Sequence, residues 1–247
     1  MLPDIDDGPR RSEDSLALCR LAAELGTHTI TATPHVSWTY PNTAHGIAAR
    51  VDEINRQLNA AEIDVMVLTG AEVAISKAVE MADEELAALR LGGGPWLLAE
   101  PPFTPGAASL ESMIHTLRAR GHNLLLAHPE RCPVFLRDRS MLERLVDDGV
   151  LVSVTAGAFT GRFGKESMRF AEDLLRDGLV HNVASDAHST GRRPPGMGRE
   201  LQEAGFGDQA DWLCDAVPRA LLAGTALPPR SAPLPQRKGG LARLFKA

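Results

Sequence analysis

Histidine and carboxylate side chains recur directly after the apolar, strand-like runs of this sequence. In chain order they are His35, Glu72, Glu100, His128, Asp186 and His188, and Asp7 in the segment DIDDG is a further candidate. Imidazole and carboxylate ligands suit Zn, Mn or Fe, and mixed clusters with bridging carboxylates suit sites that hold several ions. Such sites activate water near neutral pH and stabilise an in-line displacement at phosphorus. The pattern therefore predicts a metal-dependent phosphohydrolase.

Two arginines follow members of this set at short spacing. Arg131 lies three residues beyond His128, and Arg193 lies five residues beyond His188. A guanidinium group presents planar N–H donors that match the oxygens of a phosphate. We therefore predict that Arg131 and Arg193 hold the phosphoryl group.

Each candidate ligand also has an ordinary structural explanation. His35 after Pro34 suits a turn, and Asp7 before Gly8 suits another turn. Glu72 and the other acids could cap helices or lie in surface loops. The metal hypothesis is favoured because unpaired acids do not collect at one buried rim without a cation.

Other catalytic mechanisms fail on spacing. A cysteine-based phosphatase needs an arginine six residues after its nucleophile, and Cys19, Cys132 and Cys214 are followed there by other residue types. Gly164-Lys165 lacks the Ser or Thr of a Walker motif, and neither a GxSxG elbow nor a helix-opening GxGxxG occurs. Thiolate catalysis and ATP binding are therefore not expected.

The elements that must position these residues alternate between strands and helices. Strands are predicted at 29–33, 65–69, 96–99, 124–127, 151–155 and 180–184. Amphipathic helices are predicted at 12–25, 43–60, 76–89, 107–120, 139–147 and 165–176. Alternation over the whole length indicates a parallel α/β sheet or a small barrel. In β/α barrels the active site lies at the carboxyl ends of the strands, where the candidate ligands fall.

The chain is predicted to comprise one domain, residues 1–223, and a tail, residues 224–247. The tail is rich in Pro and Gly, lacks periodicity, and carries five basic residues and no acid. A frayed end is the simpler interpretation. The alternative is weak docking of the cations, with Leu241, Leu244 and Phe245, on an anionic membrane surface.

Composition excludes several classes of protein. The net charge of −6 argues against a general nucleic-acid binder, and no apolar run is long enough for a membrane span. Three cysteines cannot form a disulfide framework, and the N-terminus lacks the features of a signal peptide. We therefore expect a cytoplasmic protein.

Seven motifs, taken in order, resemble one known family. They are LPDIDDGP, ATPH, TGAE, LLAE, LAHPER, VTAG followed by TGRFG, and VASDAH with RRPP. They are similar to those of the manganese-dependent bacterial protein-tyrosine phosphatases of capsule and exopolysaccharide gene clusters. That family belongs to the PHP (polymerase and histidinol phosphatase) superfamily. The resemblance runs from residue 2 to about residue 222.

This resemblance implies a distorted seven-stranded, TIM-like β/α barrel that holds up to three metal ions. Mn²⁺ is the metal that the resemblance implies, and Fe or Zn are the alternatives. By motif position, Glu72 resembles a bridging ligand with Asp186 on one metal, and Glu100 and His128 resemble the ligands of a second. The family's ligands of the third metal are matched in this sequence by Asp7, His35 and His188. The resemblance also implies Arg131 and Arg193 as the phosphate-holding arginines.

One feature departs from the family pattern. In the family, a strand with the sequence Asp-x-His-x-His precedes the LP-x-IDDGP motif, whereas here Met1 stands directly before Leu2. A misassigned start, a truncation and a real loss are the alternatives, and we favour a misassigned start. We then expect an unpaired seam in the barrel where that first strand belongs, and weaker metal binding.

The resemblance implies hydrolysis of phosphotyrosine in a bacterial tyrosine kinase that regulates polysaccharide synthesis. Two alternatives remain open from the sequence. One is another PHP phosphoesterase, such as a histidinol-phosphate phosphatase, which needs a closed pocket for its small substrate. The other is a kinase-binding relative without turnover, because the His-x-His ligands are absent.

Overall fold

Short parallel strands alternate with helices along the chain. The structure is a computed structural model that describes residues 1–104, 109–230 and 232–236. Its strands are β1 (Thr29–Thr31), β2 (His35–Val36), β3 (Met66–Leu68), β4 (Glu72–Ala74), β5 (Trp96–Glu100), β6 (Asn123–Ala127), β7 (Leu151–Thr155) and β8 (Asn182–Ala184). Its α-helices are α1 (Ser12–Glu24), α2 (Ala44–Ala60), α3 (Ile75–Ala78), α4 (Asp83–Ala88), α5 (Leu110–Ala119), α6 (Pro133–Arg137), α7 (Arg139–Asp147), α8 (Ala156–Phe159), α9 (Lys165–Arg176), α10 (Met197–Glu203) and α11 (Val217–Ala223). None of the helices in these ranges has the length and apolar character needed to cross a bilayer.

The strands form two parallel sheets. Six of them follow the order β2-β4-β5-β6-β7-β8, and β1 pairs with β3 in a separate ladder. The predicted parallel α/β class is confirmed. The seven-stranded barrel is not: the described residues form eight short strands, and the larger sheet ends in two edge strands rather than closing on itself.

Each of the first two predicted strands is followed by a kink and then by a second short strand that the sequence did not predict. The predicted strand 29–33 contains β1, with β2 beyond its end, and the predicted strand 65–69 contains β3, with β4 beyond its end. Ala32 N donates to Leu68 O before the kink, and Glu72 N donates to Pro34 O after it. Pro34 has no N–H to continue the ladder between these bonds. Gly70 is required there because a Cβ would lie 2.8 Å from Thr31 Cγ2.

A cavity lies inside the curved sheet, between its two edges. Its volume is about 550 Å³, and its lining includes Thr33 beside one edge strand, Ala184 of the other and Met1. Among the described residues β2 and β8 each pair on one side only, so they are the edge strands of the larger sheet, and the seam expected in a barrel stays a prediction.

The core lies where the central strands meet the outer helices. All five residues of β7 are buried, including the polar Ser153 and Thr155. Ser153 Oγ donates to Asn182 Oδ1 at 2.5 Å, so the hydroxyl is satisfied within the sheet. Strands buried on both faces are expected in a parallel sheet that helices cover.

The segment after Gly224 packs on the body as far as it is described. Trp212 Nε1 donates to Pro228 O at 3.0 Å, and the Arg230 guanidinium lies 3.8 Å from the Trp212 ring centre. Gln209 Nε2 donates to Pro233 O at 2.9 Å. The predicted basic residues from Arg237 onward, and the membrane contact suggested for them, lie outside the described residues. The division at residue 223 stays a prediction.

One side chain on α2 closes the outer edge of β3. Asn55 Nδ2 donates to Val67 O at 2.8 Å, and Asn55 Oδ1 accepts from Val67 N at 2.9 Å. The buried Val67 thereby gains the two backbone hydrogen bonds that a neighbouring strand would supply.

We predict that Asn55→Ala destabilises the fold, because Val67 N and O lose both partners. The expected cost in the free energy of unfolding is about 1–3 kcal/mol, the penalty for unpaired buried polar groups. Urea unfolding followed by circular dichroism measures it, with the exposed Asn59→Ala on the same helix as control. Equal midpoints for the two variants would show that Asn55 does not stabilise this edge.

Candidate metal centre and phosphate site

The parallel sheet gathers the predicted ligands at one end. His35 and Glu72 are paired in register at the start of β2 and β4, and Glu100 ends β5 opposite Ala74. His128 directly follows β6, and Asp186 lies two residues beyond β8. Convergence follows from the register, because Glu72 at the start of β4 pairs with Leu98, two residues before Glu100 at the end of β5.

One group of three ligands joins distant parts of the chain. Asp7 Oδ1 lies 3.5 Å from His35 Nε2 and 3.2 Å from His188 Nε2. One donor atom from each of the three lies within 4.8 Å of the others, a spacing that suits a shared cation. The structure thus brings together the three residues predicted for one metal.

His35 also belongs to a second group, with Glu72 and Glu100. Its Nδ1 lies 3.5 Å from Glu100 Oε2, and one donor atom of each of the three again falls within 4.8 Å of the others. His128 Nε2 lies 2.6 Å from Glu72 Oε1 and 3.8 Å from Glu100 Oε1. The two groups therefore share His35 at their junction.

The carboxylates change the protonation of both histidines. Burial alone would lower the pKa of His35, but the hydrogen bond to Glu100 and the charges of Glu72, Glu100 and Asp7 raise it to about 9. Burial likewise opposes the charged form of His128, and the adjacent Glu72 outweighs it and raises the pKa. The neighbouring carboxylates thus favour the charged form of both imidazoles.

The two predicted arginines converge on one carboxylate. Arg131 Nη1 donates to Asp186 Oδ2 at 2.9 Å, and Arg193 Nη2 donates to the same oxygen. Asp186 Oδ1 lies 3.7 Å from His188 Nδ1. The structure therefore places Asp186 with the arginines and His188, whereas the family resemblance implied Asp186 beside Glu72 on one metal.

Two of the site residues adopt a left-handed backbone. His128 has φ of 34° and Asp186 has φ of 50°, a region that costs non-glycine residues energy. Each turns the chain sharply after a strand and aims its side chain at the rim. Such conformations persist at functional sites, where the surrounding structure enforces them.

Several residues support the site although the sequence assigned them no role in it. Asp6 Oδ2 accepts from His35 N at 3.2 Å, and Asn42 Nδ2 donates to His35 O at 2.8 Å. Glu130 is fully buried, and its Oε1 accepts from Thr155 N at 3.0 Å. Burial raises the pKa of Glu130 to about 7. The position of Glu130 in the motif LAHPER, between His128 and Arg131, could have marked it as a site residue, but the motif does not indicate that Glu130 is buried.

The donor atoms fit a divalent metal. They combine imidazole nitrogens with carboxylate oxygens, the ligand set of Mn, Fe and Zn sites. His128 Nδ1 is buried and has no hydrogen-bond partner among the described residues. The other ring nitrogen, Nε2, faces carboxylate oxygens of Glu72 and Glu100, and a nitrogen with two carboxylates is a donor set that suits a divalent cation.

Comparison with known proteins identifies the family. The family described as capsular polysaccharide synthesis, CpsB/CapC, matches residues 1–205. The chain belongs to the CpsB/CapC family. All nine predicted site residues, from Asp7 to Arg193, lie inside the matched range.

Curated relatives in this family carry consistent names. Tyrosine-protein phosphatase YwqE of Bacillus subtilis is 34% identical over 194 residues, which cover 78% of this chain and 76% of that protein. Putative tyrosine-protein phosphatase CapC of Staphylococcus aureus is 25% identical over 195 residues, with shares of 78% and 76%.

One solved structure has a similar fold over nearly the whole length of this chain. It comes from work on YwqE from Bacillus subtilis and CpsB from Streptococcus pneumoniae, described there as unique metal-dependent tyrosine phosphatases. Its TM-score is 0.79 at 30% sequence identity, and the superposition covers 96% of this chain and 97% of that one.

We predict that Mn²⁺ stabilises the folded protein and that His35→Ala removes most of this effect. A ligand that binds only the folded state raises the melting temperature, and His35 belongs to both donor groups. Loss of even a supporting residue costs about 10–100-fold in metal affinity, so this variant should lose at least that much.

Calorimetric titration with Mn²⁺ and thermal melts measure the two effects. His115→Ala, at a half-exposed position on α5, is the matched control and should bind as the unchanged protein does. Equal affinities in both variants would place the metal elsewhere.

Proposed function

We propose that this protein is a metal-dependent phosphatase that hydrolyses phosphotyrosine in proteins. The observation that carries the proposal is the convergence of imidazole and carboxylate donors with two arginines at one rim. The names of the relatives support the substrate, and the description of the solved relatives supports the metal dependence.

The chain's own residues bind and orient the phosphoryl group. Arg131 and Arg193 direct N–H donors at one point, now occupied by Asp186 Oδ2, where phosphoryl oxygens would bind. Asp7, His35 and His188, with Glu72, Glu100 and His128, would hold the metal ions. When bound, these ions would lower the pKa of a nucleophilic water and neutralise charge on the phosphoryl oxygens.

The form of the rim supports a protein substrate. The side chain of Asp7 is 47% exposed, and Phe103 at the same rim is 45% exposed. A histidinol-phosphate phosphatase would need an enclosed pocket around its small substrate. Tyrosine is also a good leaving group, because its phenol has a pKa of about 10, well below that of an alcohol.

The finer assignments are part of the same proposal. We propose Mn²⁺ as the metal, in up to three ions, with Fe or Zn as alternatives that the donor set also accepts. The proposed partner is a bacterial tyrosine kinase that regulates capsular or exopolysaccharide synthesis, and the proposed location is the cytoplasm. The family description, which concerns capsular polysaccharide synthesis, supports the choice of partner.

The cysteines supply no competing nucleophile. Burial raises the pKa of Cys19 to about 11, that of Cys132 above its usual value and that of Cys214 to about 12. Thiols with raised pKa values stay protonated at neutral pH and are poor nucleophiles.

We predict that activity depends on metal and not on thiol. A chelator should abolish hydrolysis of p-nitrophenyl phosphate and of a phosphotyrosyl peptide, and Mn²⁺ should restore both. The triple variant Cys19→Ser, Cys132→Ser and Cys214→Ser should keep its turnover. Loss of turnover in a folded triple variant with intact metal content would refute the mechanism. Metal binding with no turnover in the unchanged protein would favour the kinase-binding alternative.

We predict that Arg131→Ala and Arg193→Ala each weaken catalysis while metal content stays unchanged. Each should cost about 2–4 kcal/mol in kcat/KM, the range for removal of one preorganised charge-stabilising donor. The exposed neighbour Arg192→Ala is the matched control and should retain activity. If either site variant loses its metal, that arginine supports the ligands and does not hold the phosphate.

A further inference from the structure

Two phenylalanine rings flank the guanidinium of Arg131. The Cζ of Arg131 lies 4.9 Å from the ring centre of Phe103 and 4.5 Å from that of Phe163. The Cζ of Arg193 lies 5.9 Å from the same Phe163 ring. Both predicted phosphate-binding arginines thus lie against aromatic surface, in the distance range of cation–π contacts.

Phe103 is exposed at the rim but packed against the site. Its ring stacks on the His128 imidazole with centres 5.4 Å apart and an angle of 18° between the planes. Its remaining 45% exposure leaves aromatic surface open to a ligand that reaches Arg131. Exposed apolar side chains are common singly, but this one contacts both a candidate metal ligand and a candidate phosphate ligand.

The loop that carries Phe163 is held in place by its neighbours. Gly161 and Gly164, on either side, have φ of 80° and 94°, which favour glycine. Arg162 donates to Glu200 on α10 and packs its side chain over Gly157. The Phe163 ring is therefore presented on a preset turn.

We propose that Phe103 and Phe163 form an aromatic wall that binds the phenyl ring of phosphotyrosine. The inference rests on the proposed function and adds the residues that select aryl over alkyl phosphate esters. In phosphotyrosine the ring is bonded directly to the phosphate oxygen, so a phosphate on Arg131 and Arg193 places the ring beside these side chains. The shorter alkyl chain of phosphoserine offers no comparable surface to stack.

A second explanation of the same contacts makes a different prediction. The rings could act only by shielding Arg131 from water, which would strengthen its bond to Asp186 or to any phosphate. In that case their removal weakens aryl and alkyl ligands equally. The ratio between the two ligand classes therefore separates specificity from general support.

The test compares Phe103→Leu and Phe163→Leu with the unchanged protein, each loaded with Mn²⁺. Phenylphosphonate and methylphosphonate are not hydrolysed, so calorimetry gives their affinities directly. The kcat/KM values for one peptide bearing phosphotyrosine or phosphoserine give the same ratio during turnover. We expect each substitution to lower the aryl-to-alkyl ratio by about 2- to 10-fold, the value of one aromatic contact. Phe103→Tyr keeps the aromatic ring and should therefore keep the aryl-to-alkyl ratio of the unchanged protein.

The matched control is Phe206→Leu. Phe206 also lies under a guanidinium, with the Arg176 Cζ 5.5 Å from its ring centre, and packs against Phe159. Phe206→Leu should leave the aryl-to-alkyl ratio unchanged. Equal ratios in all variants, with turnover intact, would overturn the aromatic wall and leave the phosphatase proposal standing. Failure of the unchanged protein to bind or hydrolyse either class would instead overturn the proposed function.

Discussion

Electrostatic repulsion among acids at one end of a parallel sheet is the constraint on which this site depends. The strand order brings Glu72, Glu100 and Asp186 to the same rim, and the N-terminal loop adds Asp7 beside His35 and His188. Partly buried carboxylates at such spacing are stable only beside positive charge. The histidines supply some of it, and the raised pKa of about 9 at His35 reflects that demand.

Asp186 connects the two halves of the site. Its Oδ2 accepts from both Arg131 and Arg193, and its Oδ1 faces His188 in the first donor group. A cation bound at this carboxylate would neutralise its charge and leave both guanidinium groups to a phosphoryl group. Metal loading and phosphate binding would therefore reinforce one another at a single side chain.

The scaffold holds these groups through backbone geometry and through side chains that bond to the backbone. His128 and Asp186 have left-handed backbone conformations after β6 and β8, and Asp6 Oδ2 in the N-terminal loop accepts from His35 N. Glu130 ties the turn after β6 to the end of β7 through Thr155 N. Preorganisation of this kind keeps ligands near productive positions before any ion or substrate binds.

The alternation of strands and helices, the parallel class and the polar residues that lie beside the strands were predictable from the sequence, whereas the sequence predicted six of the eight strands in the described residues. The reason is that alternation and apolar runs are local patterns, and parallel strands align their ends automatically. Tertiary structure alone decided the kinks at Pro34 and Gly70, the sharing of His35 between two donor groups, and the pairing of Asp186 with the arginines. It also decided that Phe103 and Phe163 meet at Arg131. Such contacts depend on strand register and on the paths of distant loops, which no local pattern in the chain encodes.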